Sequence, residues 1–279
     1  MQLTCVVENC AARGSTLWAE HGLSYWLTSQ GRHVLLDTGQ SGRVLQHNLV
    51  ALGLWDADLD GLALSHAHAD HTGGLAVVQA HWPQTPVHAH VAITAPRYSG
   101  ADGARQIGLP PGVAARAAAG AWHLSAEPVE LVPNIWTTGA IASRPYPMGR
   151  SPQHRVGRGG RLAVDDYADD LSLVLHVKGG VALLCGCCHA GLRNTLLRLR
   201  EMTSAPLLAV IGGVHLDHAD ATELEAVTRC LEREGAPELY LCHCTGERAL
   251  YALYAAFGER VHPCPAGTVI ELPDAELAA

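Results

Sequence analysis

The chain has 279 residues, of which 48 % are hydrophobic and only 16 % charged, a composition that can form a sizeable core and excludes a disordered chain. Its formal net charge of −8 argues against nucleic acid as a partner, and aromatic residues, at 5 %, are too few for a base-stacking surface. No uninterrupted apolar run is long enough to cross a bilayer, so we expect no membrane partner either.

The nine cysteines are an odd number, so they cannot all pair within the chain. Cys185, Cys187 and Cys188 are almost adjacent, as are Cys242 and Cys244, and neighbours this close rarely reach disulfide geometry. The first residues show no basic segment followed by an apolar run, as a signal peptide would. These features predict a cytoplasmic protein with reduced thiols. They leave the oligomeric state open.

The first third of the chain alternates strand and turn signals. Apolar runs at residues 3–7, 23–27 and 33–36 predict a meander of strands. Helical spacing of apolar residues follows over residues 44–52. A short buried strand is then expected at residues 62–64, and a helix from about residue 75 to residue 80.

Two segments in the middle of the chain have weak periodicity. Residues 98–120 are rich in Ala, Gly and Pro and predict an irregular insertion. Residues 143–161 form a basic, Pro- and Gly-rich segment that predicts a flexible loop, and an acidic stretch follows at residues 165–170. Long loops are either functional or disordered. Residues 143–161 are therefore either a mobile solvated loop or a lid whose arginines meet an anionic substrate.

Strands and helices alternate again in the last third. Strands are expected at residues 171–177, 181–184, 207–211 and 239–241, and helices at residues 192–200, 221–234 and 247–257. There is no internal repeat and no clear linker, which favours one domain over residues 1–279. Two similar halves of strands and helices suggest two sheets with outer helices.

Four side chains that commonly bind metals lie within six residues: His66, His68, Asp70 and His71. They come directly after the strand at residues 62–64, and a loop leaving a strand can fold them inward around one point. Imidazole and carboxylate together suit zinc, iron or manganese. A lone histidine is usually a core or surface residue, but four ligand types at this spacing are hard to obtain by chance.

Residues 65–75, SHAHADHTGGL, resemble the HxHxDH signature of the metallo-β-lactamase superfamily. The chain also resembles one branch of it, the 7,8-dihydropterin-6-yl-methyl-4-(β-D-ribofuranosyl)aminobenzene 5′-phosphate synthase-like proteins. That likeness rests on HGLS at 21–24, DTG at 37–39, GCCHAG at 186–191, GGVHL at 212–216 and HCTG at 243–246. The resemblance runs from about residue 3 to residue 270. It implies an α/β fold, an αββα sandwich of two mixed β-sheets with outer helices and a metal site at the sheet edge.

The resemblance also implies two divalent metal ions, with zinc expected and iron or manganese as alternatives. His66 and His68 would hold the first ion, which His189 would complete. Asp70 and His71 would hold the second ion together with His243, which follows the strand at residues 239–241.

The chain departs from the superfamily pattern at Cys187, where most members have an Asp that bridges the two metals. Either Cys187 is a thiolate ligand, or His189 takes over the position, or no protein group bridges the metals. Sulfur favours zinc or iron over magnesium, whereas Cys188 is expected to be a packing residue. Many members also have a His before the preceding strand. Here Asp170 stands there, as an acidic ligand, a partner of a ligand or part of a solvated turn.

Three residues are interpreted as substrate contacts. His215 follows two glycines at a strand end, where the backbone allows close approach. Asn194 and Thr245 lie where helices begin directly after His189 and His243, and helix N-termini attract anions. We therefore expect a small and anionic substrate.

The first functional hypothesis is hydrolysis, in which a metal-bound hydroxide attacks a phosphoester, lactone or thioester and Asp70 orients the nucleophile. The second is a synthase or lyase that uses the same metals on a pterin-like or phosphorylated substrate. The third is a metal-binding sensor or scaffold without turnover. A structural zinc is closed by four protein ligands, whereas a catalytic one keeps an open position. Asp70 favours catalysis, because a purely structural site would not need it.

Overall fold

The computed structural model describes residues 1–100 and 102–275. Within them the strands are β1 (Gln2–Val7), β2 (Ser24–Ser29), β3 (Arg32–Leu36), β4 (Gly61–Leu64), β5 (Val87–Ala89), β6 (Arg97–Ser99), β7 (Arg105–Gln106), β8 (His123–Leu124), β9 (Glu130–Val132), β10 (Ile135–Thr137), β11 (His154–Arg158), β12 (Arg161–Val164), β13 (Ser172–Val177), β14 (Gly180–Cys185), β15 (Leu207–Gly212), β16 (Glu238–Leu241), β17 (Val261–Pro263) and β18 (Val269–Glu271). The α-helices are α1 (Gly42–Ala51), α2 (Ala69–Thr72), α3 (Leu75–His81), α4 (Pro111–Arg116), α5 (Leu192–Met202), α6 (Ala221–Arg233) and α7 (Glu247–Phe257).

Two seven-stranded sheets form the centre of the molecule. The first has the order β18-β1-β2-β3-β4-β5-β8, and the second has the order β17-β16-β15-β14-β13-β10-β9. Both are mixed: β1, β2 and β3 pair antiparallel before β4 and β5 join in parallel, and β14 to β17 are parallel beside an antiparallel β13. The predicted α/β class with two mixed sheets is confirmed.

The main core lies between the two sheets. Leu3 and Tyr25 of the first sheet and Leu173 and Ile211 of the second are fully buried in one apolar cluster. Complete burial of such a side chain contributes about 1.5–3 kcal/mol. The outer faces carry helices, with α1 and α3 on the first sheet and α5, α6 and α7 on the second. This gives the four layers expected from the sequence.

Local sequence explains the outer helices. In α6 the buried residues Leu224, Val227 and Leu231 recur at three- and four-residue spacing, which places them on one face. Asp220 begins the helix by accepting a hydrogen bond from the Glu223 N–H at 2.8 Å. Helix α6 therefore agrees closely with the prediction over residues 221–234.

A third sheet, of four strands in the order β12-β11-β6-β7, joins the two segments expected to lack regular structure. Strand β11 pairs with β6 through His154 opposite Ser99 and Val156 opposite Arg97. The segment at 98–120, whose Ala101 lies outside the described residues, thus includes β7 and α4, and the basic segment at 143–161 includes β11. Strands β11 and β12 pair as neighbours in the chain, as do β6 and β7, but these strands are short, and β6 meets β11 only through pairing that is distant in sequence.

Buried ion pairs hold this third sheet to the rest of the fold. Arg97 of β6 lies 3.2 Å from Asp165 and 2.5 Å from Asp169, and all three side chains are buried. Asp165, Asp169 and Asp170 of the acidic stretch are therefore buried, whereas Asp166 faces solvent. The single domain proposed from the sequence stays a prediction, and its residues 276–279 lie outside the described ones. In the described chain no helix is long and apolar enough to cross a membrane.

Candidate metal centre

The loop after β4 is held at alternate residues, which directs its histidines to one side. The backbone N–H groups of its odd-numbered residues donate hydrogen bonds to the surrounding protein. The side chains of His66 and His68, between them, face away from those partners. The hydrogen bonds are Ser65 N to Asp37 Oδ1 (2.7 Å), Ala67 N to Asp169 Oδ2 (2.8 Å) and Ala69 N to Ile107 O (2.8 Å). The sheet and two neighbouring loops thus fix the geometry of this loop.

The first group of donors consists of His66, His68 and His189, whose ligand nitrogens lie within 4.8 Å of one another. Nε2 of His66 is 3.1 Å from Nδ1 of His68. Burial lowers the pKa of all three imidazoles well below the ordinary value, so they are neutral, as metal ligands must be. Nε2 of His68 and Nε2 of His189 are buried with no hydrogen-bond partner among the described residues. These unpartnered nitrogens fit a metal ion.

The second group consists of Asp70, His71 and His243. Nε2 of His71 lies 3.3 Å from Nε2 of His243, and Asp70 Oδ2 lies 3.7 Å and 3.5 Å from these two atoms. Burial would raise the pKa of Asp70, but His71, His21 and His243 hold it well below its usual range. The carboxylate is therefore ionised and lies between two imidazoles, a donor set that suits a divalent cation.

Asp37 positions His71 from behind. Its Oδ2 lies 2.7 Å from Nδ1 of His71 and accepts the Ser65 hydroxyl at 2.7 Å. Burial alone would lower the pKa of His71, but Asp37 and Asp70 raise it to about 9. A metal at Nε2 would replace that proton, and the Asp37 contact would then fix the tautomer, as carboxylates do behind histidine ligands. In the sequence, Asp37 is marked only by its place in the DTG segment at 37–39.

Cys187 lies between the two groups. Its Sγ is 3.2 Å from Nε2 of His71, and it forms a further cluster of potential ligands with His66 and His71. Cys188 points elsewhere, since its Sγ is 3.2 Å from the hydroxyl of Thr195 on α5. Of the two neighbouring thiols, the structure brings only Cys187 to the metal ligands.

The three expected substrate contacts have different positions. His215 lines the cavity above the donors, with its ring 4.3 Å from that of His189. The structure does not bring Asn194 or Thr245 to this cavity, because both are buried and bonded to backbone. Asn194 bonds to Ala190 O (2.7 Å) and to both polar groups of the Tyr146 backbone (3.0 Å each), and Thr245 donates to Cys242 O (2.7 Å).

The expectation for Asn194 and Thr245 rested on free N–H groups where their helices begin. The structure shows that these side chains hold adjoining loops in place instead. Asn194 ties the start of α5 to the segment at 146, and Thr245 also accepts a hydrogen bond from Val214 N at 3.4 Å. Both side chains thus bond to the loops that carry His189 and His243, and a role in substrate binding stays a prediction.

Tyr167 and His154 lie beside the centre although no motif in the sequence predicts them there. The ring of Tyr167 stacks on His189 at 4.2 Å, and its hydroxyl lies 2.9 Å from Nδ1 of His154. Asp170 is buried and accepts the Ala190 N–H at 2.8 Å, and burial raises its pKa to about 7. Asp170 thus supports the loop that carries His189, and the solvated-turn alternative is wrong. Only chain folding brings Tyr167 and His154 to the centre, so no local motif marked them.

An open cavity of about 460 Å³ gives access to the donors. Its walls include Arg105 and Gln106 of β7, which come from the segment expected to be irregular, and His21, whose Nε2 lies 3.2 Å from Asp70 Oδ2. A small molecule can therefore reach both donor groups from solvent.

Two mixed sheets with outer helices and an HxHxDH loop at the sheet edge define the metallo-β-lactamase superfamily, and the chain belongs to it. The family model described as metallo-beta-lactamase superfamily matches residues 17–155. The resemblance stated from the sequence is confirmed, and the chain is an enzyme of this superfamily, whose members bind divalent metals and act on small molecules.

Individual relatives cover almost the whole chain. The 7,8-dihydropterin-6-methyl-4-(beta-D-ribofuranosyl)-aminobenzene-5′-phosphate synthase of Methanocaldococcus jannaschii is 26 % identical, over 97 % of this chain and 96 % of its own. The crystal structure of Tm1679, a metal-dependent hydrolase of the β-lactamase superfamily, is 28 % identical, with a TM-score of 0.84 over 98 % of this chain and 100 % of that one. Zn²⁺-bound PqqB from Methylobacterium extorquens shares the fold, with a TM-score of 0.58 at 13 % identity over 98 % of this chain and 100 % of its own.

Proposed function

We propose that the chain is a dinuclear metal-dependent hydrolase of a small anionic substrate, with a phosphoester as the leading class and a lactone or thioester as alternatives. One observation carries the proposal: two groups of three donors lie side by side at an open cavity of about 460 Å³. A structural metal would be enclosed by four protein ligands. The open cavity beside these donors therefore argues against a scaffold without turnover.

His66, His68 and His189 would hold one ion, and Asp70, His71 and His243 the other, with zinc as the expected metal and iron or manganese as alternatives. Such ions supply a nucleophilic water at neutral pH and stabilise negative charge that develops on oxygen. The role proposed for Cys187 is that of a thiolate that would help to hold the metals, since its sulfur lies 3.2 Å from Nε2 of His71.

The chain's own residues supply orientation and proton transfer. Asp70 lines the cavity, and its Oδ2 lies 3.2 Å from Nε2 of His21. We assign to its carboxylate the orientation of the attacking water and the transfer of its proton to the leaving group. The stacked ring of Tyr167 and the carbonyl of Gly149, 2.6 Å from Nδ1, fix the ring of His189.

Arg105 is the proposed anion contact. It lines the cavity together with two carboxylates, Asp70 and Asp217. Arg105 brings a positive side chain to this cavity, and we assign its guanidinium to the anionic group of the substrate. Planar guanidinium groups bind phosphate and carboxylate through paired hydrogen bonds.

The test is turnover of a phosphoester, lactone and thioester panel by the metal-loaded chain and by Arg105→Gln. Arg161→Gln is the matched control, because Arg161 lies in the same third sheet and outside the described cavity lining. We expect Arg105→Gln to raise KM for an anionic phosphoester by about tenfold or more, with Arg161→Gln unchanged. No turnover of any substrate class would contradict hydrolysis, and an unchanged KM would contradict the anion contact.

A second candidate is synthase activity like that of the Methanocaldococcus jannaschii relative. The supporting observation is that 26 % identity extends over 97 % of this chain and 96 % of that protein. That relative's named product carries a phosphate, so a cavity with an anion contact suits either reaction. An assay for formation of that product by the metal-loaded chain decides between the two candidates.

A further inference from the structure

Two thiols and an imidazole meet beside the histidine centre. Cys187, His215 and Cys244 each follow a strand of the second sheet, and β14, β15 and β16 are parallel neighbours. Their registers align Cys185 with Gly212 and Gly212 with Leu241, so the three following loops begin at the same level. The two sulfur atoms and one ring nitrogen of His215 lie within 4.8 Å of one another.

Backbone contacts keep these loops together. Gly213 N donates to Gly186 O at 3.1 Å, and the Cys244 thiol contacts the Cys187 carbonyl at 3.5 Å. A Cβ at position 213 would lie 2.5 Å from Gly186 O and 2.7 Å from Cys244 Sγ, so only glycine permits this approach. The clustering of the donors is therefore built into the backbone.

The imidazole in this cluster has an unused atom. Nδ1 of His215 is buried and has no hydrogen-bond partner within the part of the chain that the structure describes. His215 also has a positive φ of 43°, which L residues with bulky side chains rarely adopt. Strained conformations of this kind concentrate at functional sites.

We propose that Cys187, His215 and Cys244 form a Cys₂His site for a thiophilic divalent ion such as zinc or cadmium, beside the histidine centre. Two thiolates and one imidazole are a soft donor set that selects such ions over magnesium or calcium. All three residues line the same cavity as Asp70, so an ion held by them keeps an open position. His215 would then act as a ligand in this site and not as the substrate contact expected from the sequence.

Cys187 belongs to both sites. Its sulfur lies 3.2 Å from Nε2 of His71 and also within the cluster of His215 and Cys244. A thiolate can bind two metal ions, so Cys187 would connect the new site to the histidine centre. The inference goes beyond the proposed hydrolase, which makes no use of Cys244.

The test is titration of the full chain, freed of metal with a chelator, with Cd²⁺ alone. The bound metal is counted by elemental analysis, and sulfur-to-cadmium charge transfer is followed in the near ultraviolet. The titration is done in a His66→Ala, His68→Ala background, so that the first histidine group does not contribute. We expect the absorption band to persist in this background. When Cys244→Ser is added, the band should lose at least about half its intensity, and the affinity for Cd²⁺ should fall about tenfold or more.

Cys230→Ser is the matched control, because Cys230 is a half-buried free thiol on α6 and does not line the cavity. It should leave the band and the cadmium affinity unchanged. Circular dichroism checks the fold of every variant, and Cys244→Ser and His215→Ala in the otherwise native chain repeat the comparison. A full band in folded Cys244→Ser overturns the site. Loss of the band in the folded His66→Ala, His68→Ala chain also overturns it, since the sulfurs would then serve only the histidine centre.

Hydrolysis is measured separately and is not a readout for this site. A chain that hydrolyses its substrate and shows no Cys244-dependent band keeps the proposed function and loses the Cys₂His site. A chain with the band and no turnover of the substrate panel gives the opposite result.

Discussion

The two halves of the molecule contribute to the candidate centre in different ways. The first sheet supplies His66, His68, Asp70 and His71 from one loop after β4. The second sheet supplies its residues from three separate loops: Cys187 and His189 after β14, His215 after β15, and His243 and Cys244 after β16. In both sheets the loops leave the carboxyl ends of parallel strands, where binding sites of α/β sheets commonly lie.

The two regions differ in whether their donors are close together in the sequence. The four donors of the loop after β4 lie within six consecutive residues, and hydrogen bonds hold its backbone at Ser65, Ala67 and Ala69. The loops of the second sheet reach the centre only because β14, β15 and β16 align in register. Mutations in the first region should therefore affect metal binding directly. Substitutions of single residues in the second region should change metal affinity to different degrees, according to whether the side chain contacts the metal ligands.

The largest effect is expected from the double change His66→Ala and His68→Ala, which removes two of three donors from the first group. We expect elemental analysis to show loss of the metal at that site, and turnover to fall at least about 1,000-fold. His47→Ala with His81→Ala is the control, since both of these histidines stack on tryptophans and neither lines the cavity. A full metal complement in the double variant would show that the site assignment is wrong.

Asp70→Asn should cost far more in turnover than in folding. It keeps the shape of the side chain but removes the charge that binds the second ion and orients the water. We expect kcat and kcat/KM to fall together by about 10²- to 10⁴-fold. The free energy of unfolding should change by only about 1 kcal/mol, because the histidines still hold the first ion. Normal turnover with one metal lost would mean that the second ion is not needed.

Asp37→Asn tests the support behind the loop after β4. Asp37 accepts from the backbone and hydroxyl of Ser65 and contacts His71, so its charge stabilises the loop and the His71 tautomer. Metal affinity should fall about 10- to 100-fold, and the free energy of unfolding by about 1.5–3 kcal/mol. Asp60→Asn, at a surface pair with Arg32, should leave metal affinity unchanged. Equal metal affinity in the two variants would argue that Asp37 acts on folding alone.

The smallest effect, and the sharpest contrast within the second region, is expected from Cys187→Ser and Cys188→Ser. The Cys187 sulfur contacts His71, whereas the Cys188 sulfur packs against Thr195. Cys187→Ser should weaken zinc binding by about tenfold, measured by competition with a chelating dye, and Cys188→Ser should not change it. If both substitutions had equally small effects, Cys187 would be a packing residue like its neighbour.

The sequence by itself determined the class of fold and the first part of the centre. Helices α5, α6 and α7 begin at the residues expected, because the spacing of their apolar side chains is a local property. The strands β1, β4, β13 and β14 also agree with the apolar runs that predicted them. The HxHxDH loop could be recognised for the same reason, since all its donors lie within residues 66–71.

Only the tertiary structure decided which of the remaining residues meet the centre. Cys187 and Cys188 are adjacent and chemically identical, and the direction of each side chain depends on the loop after β14. Asn194 and Thr245 bond to backbone because neighbouring loops offer them partners inside the protein. In the third sheet, β6 meets β11 through pairing between residues more than 50 positions apart, such as Ser99 and His154. Such contacts depend on chain closure over long distances, which the local pattern of residues does not encode.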